Sequence, residues 1–304
     1  MSIRIGIGMG LQQPVPVDEY WRLVQFCETH GIDSIWHSDQ LLRPSLEPIA
    51  MLAALAARTT SLRFGMNAVV ISHRDPLILA KEFATIDYLA PGRLLPVFGV
   101  GDASDPAWRA TGRQPRGRGE RANEAIALVR RLLSEDSVTF HGQHYRYDSA
   151  SITPRPLRSI PIWIGGQSHA AIQRTAALGD GWLGGLTTPR VAASVVTRIG
   201  NALQATGRQI AEDHYGVVIP FRVGGADDAA VAGFQRAISA RGRPPPDEPP
   251  VLAVGDKATV VSVFRQYIDA GISKFVAIPL VADPRDLQRQ MHHLVDDICP
   301  QVED

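Results

Sequence analysis

Between Leu62 and Gly101 the chain reads LRFGMNAVVISHRDPLILAKEFATIDYLAPGRLLPVFGVG, and this stretch restricts the fold more than any other. Arg63 to Ile71 is an apolar, β-branched run of strand length. Pro76 to Leu89 has the composition and length of a helix. Arg93 to Val100 is a second strand-like run that ends in Gly99-Val100-Gly101. Two apolar strands around one helix make a βαβ unit, which pairs its strands in parallel and buries both faces of the sheet. Pro91-Gly92 punctuates the return from helix to strand.

The same alternation runs from end to end. Ile3–Met9 reads as a strand, Val17–His30 as a helix, Asp33–Ser38 as a strand and Leu46–Arg58 as a helix. After the central block come an amphipathic helix over Gly117–Ser134, then Ile160–Ile164, His169–Leu178, Gly181–Gly185, Pro189–Thr206, Tyr215–Val223, Ile272–Pro279 and a last helix over Arg285–Ile298. Eight β-then-α units in 304 residues fit one (β/α)₈ TIM barrel filling residues 1–304. An open doubly wound sheet is the alternative, and it needs only about six strands. Two segments depart from the pattern. Val138–Tyr147 reads as a small hairpin insertion, and Gly242–Pro250 (GRPPPDEPP), before the eighth strand, has too many prolines for helix or central strand.

Composition limits the function. The formal net charge is zero, which argues against nucleic acid or an anionic membrane as partner. Cys27 and Cys299 stand at opposite ends of the sequence and form neither a metal cluster nor a disulfide framework. His141 and His144 sit in the hairpin without a third ligand, so no metal is expected. MSIRIGIGMG reads as a short strand and not as a secretory leader, and no run reaches the ~20 apolar residues of a membrane helix. The expectation is a cytoplasmic protein acting on a small molecule.

Barrel enzymes take their active-site groups from the C-terminal ends of their strands. That rule selects His37-Ser38-Asp39-Gln40, Asn67 through Arg74, Gly101-Asp102-Ala103-Ser104 and Gly165-Gly166-Gln167-Ser168. Glycines after a strand let backbone N–H groups approach an anion, and the helix N-terminus that follows favours negative charge. Gly165 to Ser168 is therefore a candidate phosphate loop; alternatively it is an ordinary βα turn with Ser168 as N-cap. Asp39 is either a site carboxylate or the cap of the next turn. Gly99 and Gly101 either border a ligand or relieve crowding at a strand end. Arg113 to Arg121 is basic, but Glu120 and Glu124 interleave with it, as at a solvated helix start; the alternative is a phosphate or substrate contact.

Several of these segments together resemble the bacterial luciferase-like flavin and deazaflavin oxidoreductases. That family has, in order, an R-x-P turn, an A-T-x-D helix, a G-R strand and a G-x-G end; here they are Arg74-Asp75-Pro76, Ala84-Thr85-Ile86-Asp87, Gly92-Arg93 and Gly99-Val100-Gly101. Its second strand, F-D-S-[IL]-W-x-x-D-H, is similar to Ile32 through Gln40, and its I-W-I-G-G-x-S loop to Ile162 through Ser168, followed by Gly179-Asp180-Gly181-Trp182. The resemblance runs from Ile3 to about Thr206. It implies a luciferase-like barrel with cofactor contacts from Asp39, Gln40, Asn67, Ala68, Gly101, Asp102, Ala103, Gly165, Gly166, Gln167 and Ser168. It also implies a non-prolyl cis peptide at Asn67-Ala68 and makes the proline-rich loop either a lid or a surface connector.

Gln40 departs from the family, which has histidine there as a proposed acid or base. Glutamine cannot transfer a proton at neutral pH. Asp39 and His37 are left as the catalytic candidates, with a structural histidine as the other reading of His37. The resemblance implies coenzyme F420 and hydride transfer to a small organic substrate, favoured by the compact chain and the Trp-x-x-Asp strand. The alternatives are an FMN-dependent monooxygenase served by a separate flavin reductase, or a flavin-binding barrel without turnover. The family usually dimerises, so a homodimer is expected.

Overall fold

The protein is described by a computed structural model covering residues 2–9, 15–225, 228–239 and 252–303. In chain order, β1 (Arg4–Gly8), α1 (Val17–Thr29), β2 (Ser34–His37), α2 (Pro48–Arg58), β3 (Arg63–Val70), α3 (Pro76–Leu89) and β4 (Leu94–Gly99) form the first half. The chain then forms α4 (Ala107–Ala110), α5 (Arg118–Ser134), β5 (Val138–His141), β6 (Arg146–Ala150), β7 (Trp163–Gly165), α6 (His169–Leu178), β8 (Gly181–Gly184) and α7 (Pro189–Thr206). It ends with β9 (Tyr215–Val223), α8 (Ala229–Ser239), β10 (Ala253–Gly255), α9 (Lys257–Asp269), β11 (Lys274–Pro279), α10 (Pro284–His292) and α11 (Cys299–Val302).

Eight parallel strands close on themselves in the order β1, β2, β3, β4, β7, β8, β9, β11 and back to β1. The β8–β9 and β11–β1 ladders that complete the ring exclude an open sheet. Local sequence explains the helix starts. Glu47, Asp75, Ser168 and Thr188 each accept a backbone N–H of the first turn, and proline at the first helical position follows three of them.

The hairpin β5–β6 is the expected insertion, antiparallel and outside the barrel. The proline-rich Gly242–Pro250 lies outside the described residues. Three elements between Val223 and Lys274 go beyond the expected pattern: α8, α9 and β10, which pairs Ala253 with Phe221 at the C-terminal end of β9. The last helix continues past His292 with π geometry over His293–Ile298. Among the described residues, no helix is long and apolar enough to cross a membrane.

Strand alternation divides the core in two. Trp36, Leu95, Val97, Trp163, Leu183, Val218, Val276 and Ile278 fill the barrel, while Ile5, Ile7, Ile35, Phe64 and Phe98 pack in the larger layer around it. A Cβ on Gly65 would lie 2.5 Å from the Trp36 ring, so glycine there makes space for the tryptophan. The N-terminal end of the barrel is closed by charge: Asp33 pairs with Arg63 and with the buried Lys274, and Ser34 Oγ donates to Asp33 Oδ2 at 2.7 Å. Removing one member of a buried pair costs about 3–5 kcal/mol, so this cluster belongs to stability. The opposite end is left for chemistry.

Candidate active site at the barrel mouth

The end of β3 departs from regular pairing. Met66 opposes Pro96 and Val69 opposes Phe98, so Asn67 and Ala68 together face Val97 in a bulge. The Asn67–Ala68 peptide is cis, as the resemblance implied. Ser38 Oγ donates to Asn67 Oδ1 at 2.9 Å, joining the β2 and β3 ends. Ala68 is half-buried between its neighbours. Its Cβ lies 3.4 Å from where a Cβ on Gly99 would stand and 3.6 Å from the same point on Gly165. Three small residues on adjacent strands thus form a shallow shelf without projecting side chains.

The loop after β7 borders this shelf. Gly166 has φ +106°, and its carbonyl accepts Trp182 Nε1–H at 2.7 Å. Ser168 Oγ accepts Ala171 N–H at 3.2 Å, so it is the N-cap of α6, and both Gln167 and Ser168 are exposed. The cap satisfies one N–H and leaves the helix start polarised toward an anion. On the β4 side, Gly101 has φ +73°, and its carbonyl accepts Arg118 Nε–H at 3.2 Å. Asp102 Oδ1 accepts Ser104 N–H at 2.9 Å and Oγ–H at 2.8 Å, which shapes the turn that exposes Ala103.

Asp39 and His37 have different fates. Asp39 Oδ2 accepts Val70 N–H at 3.1 Å and lies 3.2 Å from Arg74 Nη2; Oδ1 has no partner among the described residues. Ser34, Trp36 and Ser38 face inward, so His37 faces outward. Its Nε2 meets Tyr20 OH on α1 at 2.9 Å, and the side chain is buried. Burial lowers its pKa to about 4, leaving it neutral at pH 7. The geometry therefore places His37 in the packing between β2 and α1, which favours its structural reading over that of a replacement acid or base. Gln40 is half-buried, and its carbonyl accepts Arg43 N–H and Ser45 Oγ–H, each at 3.1 Å.

Three mouth residues lie inside the strand-end segments singled out from the sequence but were given no individual role there: Ser38, His73 and Arg74. Ser38 was legible from the inward alternation Ser34, Trp36, Ser38. Arg74 was singled out as the end of the Asn67–Arg74 segment and as part of a turn motif. His73 packs on Trp108 with ring centroids 4.0 Å apart and the rings tilted by 38°, and burial chiefly lowers its pKa; no local pattern marks that pair. In the hairpin, His141 Nε2 lies 2.5 Å from Asp148 Oδ1, so it is engaged by a carboxylate and not by His144.

Comparison with known proteins agrees with this architecture. A family model described as luciferase-like monooxygenase matches residues 1–301. An F420-dependent glucose-6-phosphate dehydrogenase of Kineococcus radiotolerans is 30% identical over 193 residues, which are 60% of this chain and 57% of that protein. The matched part thus spans little more than half of the relative's length. Among solved structures, an F420-dependent secondary alcohol dehydrogenase in complex with an F420-acetone adduct superposes with a TM-score of 0.84 at 20% identity, covering 100% of both chains. A monooxygenase from Streptomyces bottropensis gives 0.81 at 20% identity, covering 98% of this chain and 99% of its own.

Proposed function

The chain belongs to the luciferase-like monooxygenase family, and from that premise we propose an oxidoreductase that transfers hydride between coenzyme F420 and a small organic substrate, with residues 1–304 acting as one domain. The observation that carries this reading is the shelf of Ala68, Gly99 and Gly165 beside the N-terminus of α6. A flat ring needs a surface without projecting side chains, and a phosphate needs N–H groups and a helix start. Both lie on adjoining strand ends. The F420-dependent names among the relatives support the same choice.

In this reading Ala68 and Asn67 back the ring, Gly101, Asp102 and Ala103 border its polar edge, and Gly165 to Ser168 hold the phosphate. When bound, the coenzyme supplies the carbon that accepts or donates hydride. Asp39 presents Oδ1 to the mouth while Oδ2 stays with Val70 and Arg74, so it orients cofactor or substrate as an acceptor. Gln40 contributes hydrogen bonds and no proton. Small residues let substrate approach the ring closely, and the buried walls below exclude water.

The main rival is an FMN-dependent monooxygenase with a separate reductase, which a monooxygenase among the structural neighbours supports. A non-catalytic flavin-binding barrel is the third reading. Equilibrium titration of the protein with F420 and with FMN tests the choice of cofactor, and turnover with reduced cofactor on a substrate panel tests catalysis. We also propose a cytoplasmic homodimer formed through α2 and α3. Their outer sides expose Ala50, Ala57, Ile78 and Tyr88, the last two at 60% and 70%. Sedimentation at a single monomer mass would exclude the dimer.

A further inference from the structure

Arg74 ends the short 3₁₀ turn that follows β3. Its Nη2 lies 3.2 Å from Asp39 Oδ2 and 2.7 Å from Glu47 Oε1. These carboxylates stand at the two ends of the loop that leaves the mouth after β2 and enters α2. Asp39 is also bonded to Val70 N–H on β3, and Glu47 Oε2 accepts Ala50 N–H at 2.7 Å, capping α2. One guanidinium nitrogen therefore closes the loop 40–46 at both ends and joins β2, β3 and α2.

We propose that Arg74 is a positioning residue: by clasping Asp39 and Glu47 it fixes the loop that carries Gln40, Leu41 and Leu42 beside the small-residue shelf. Three features support a role beyond surface decoration. The Asp39 side chain is only 8% exposed and that of Arg74 only 21%, so solvent screens their attraction weakly. A carboxylate that buried needs a countercharge. Within the loop Gln40 O accepts Arg43 N–H and Ser45 Oγ–H, and Arg43 O accepts Ser45 N–H at 2.7 Å, while Leu41 and Leu42 are each 54% exposed. A loop with few buried contacts and two anchored ends depends on its anchors. Burial opposes the charge on Arg74, but Asp39 and Glu47 outweigh it and keep the guanidinium protonated. Half-buried Glu82 and His73 also feel this charge, and His37 feels Glu47.

The role is toward the cofactor and so rests on the proposed function, but the clasp can be read without it. Hydrogen exchange of the free protein should be faster at Val70 and across residues 40–47 in Arg74→Ala than in wild type, and close to wild type in Arg74→Lys, because a single nitrogen makes both contacts. The dissociation constant for F420, followed by absorbance, should rise roughly 3- to 30-fold in Arg74→Ala, the range typical of residues that act through others. Arg74→Lys should recover most of that loss. Should Arg74→Ala fail to fold, Arg74→Gln keeps hydrogen bonding without charge and takes its place in both measurements. Unchanged exchange overturns the clasp, and faster exchange with unchanged affinity overturns the positioning role. If wild type binds neither F420 nor FMN, the cofactor reading fails by itself, and the exchange comparison alone decides whether Arg74 holds the loop.

Discussion

Ser38 and Asn67 meet across 2.9 Å, hydroxyl to side-chain carbonyl, and this bond ties the residue just after β2 to the first residue of the β3 bulge. It fixes Asn67 beside the shelf that Ala68 shares with Gly99 and Gly165. Ser38→Ala removes one partly buried hydrogen bond, worth about 1 kcal/mol. Affinity for the cofactor should fall by about 5-fold, since 1.4 kcal/mol is tenfold, with a melting-temperature change of only a few degrees. Affinity equal to wild type would show that Asn67 needs no such support.

The loop after β7 is tested by charge. Gly166→Asp places a carboxylate where the phosphate is proposed to sit and should abolish cofactor binding. Gly166 has φ +106°, so any side chain strains the backbone. Gly166→Ala is therefore the control: it carries the strain without the charge and should retain measurable binding. Equal losses in the two variants would mean that backbone shape, not anion binding, explains the effect.

Asp39 separates hydrogen bonding from proton transfer. Its Oδ2 already holds Val70 and Arg74, which favours an orienting role. Asp39→Asn should keep most of kcat/KM, whereas Asp39→Ala should lose ~10²-fold, as for a positioned site group. If Asn loses as much as Ala while both melt near wild type, charge or basicity is required. Were Asp39 only a turn cap, Ala would cost about 1 kcal/mol of stability and leave turnover intact.

His37 predicts a pH dependence of stability. Its folded pKa of about 4 lies below the ordinary 6.5, because burial disfavours the charged ring. Between these values the unfolded chain binds a proton that the folded one does not, so stability rises with pH across that window and is lost as pH falls toward 4. The full loss is on the order of 3 kcal/mol. Melting temperature should therefore drop from pH 6.5 to pH 4, and less steeply in His37→Gln. A parallel drop in both proteins would contradict the assignment.

The barrel was legible because buried parallel strands leave continuous apolar runs separated by capped, proline-started helices, as at Asp75-Pro76 and Thr188-Pro189. The Ser168 cap that starts α6 was legible for the same reason, because it does local work. His37, left between a catalytic and a structural reading, shows where this stops. Its outward direction depends on register within β2, and counting inward from Trp36 would have revealed it. The segment Lys257–Asp269 carries Val260, Val261, Phe264 and Tyr267 at helical spacing, and that signal was available. The Arg74 clasp was not, because its two carboxylates lie 35 and 27 residues away and only the closed loop brings them to one nitrogen.

Titration of the protein with F420 and with FMN, each followed by its visible absorbance, tests the proposed cofactor site most directly when run beside Gly165→Val. The variant adds branched carbons to the shelf next to Ala68, whose Cβ is 3.6 Å from the new Cβ position. The shelf reading predicts saturable binding of F420 by wild type in preference to FMN, and loss of that binding in a variant that keeps its circular dichroism. Preference for FMN would contradict the choice of coenzyme. Undiminished F420 binding by folded Gly165→Val would contradict the placement of the site.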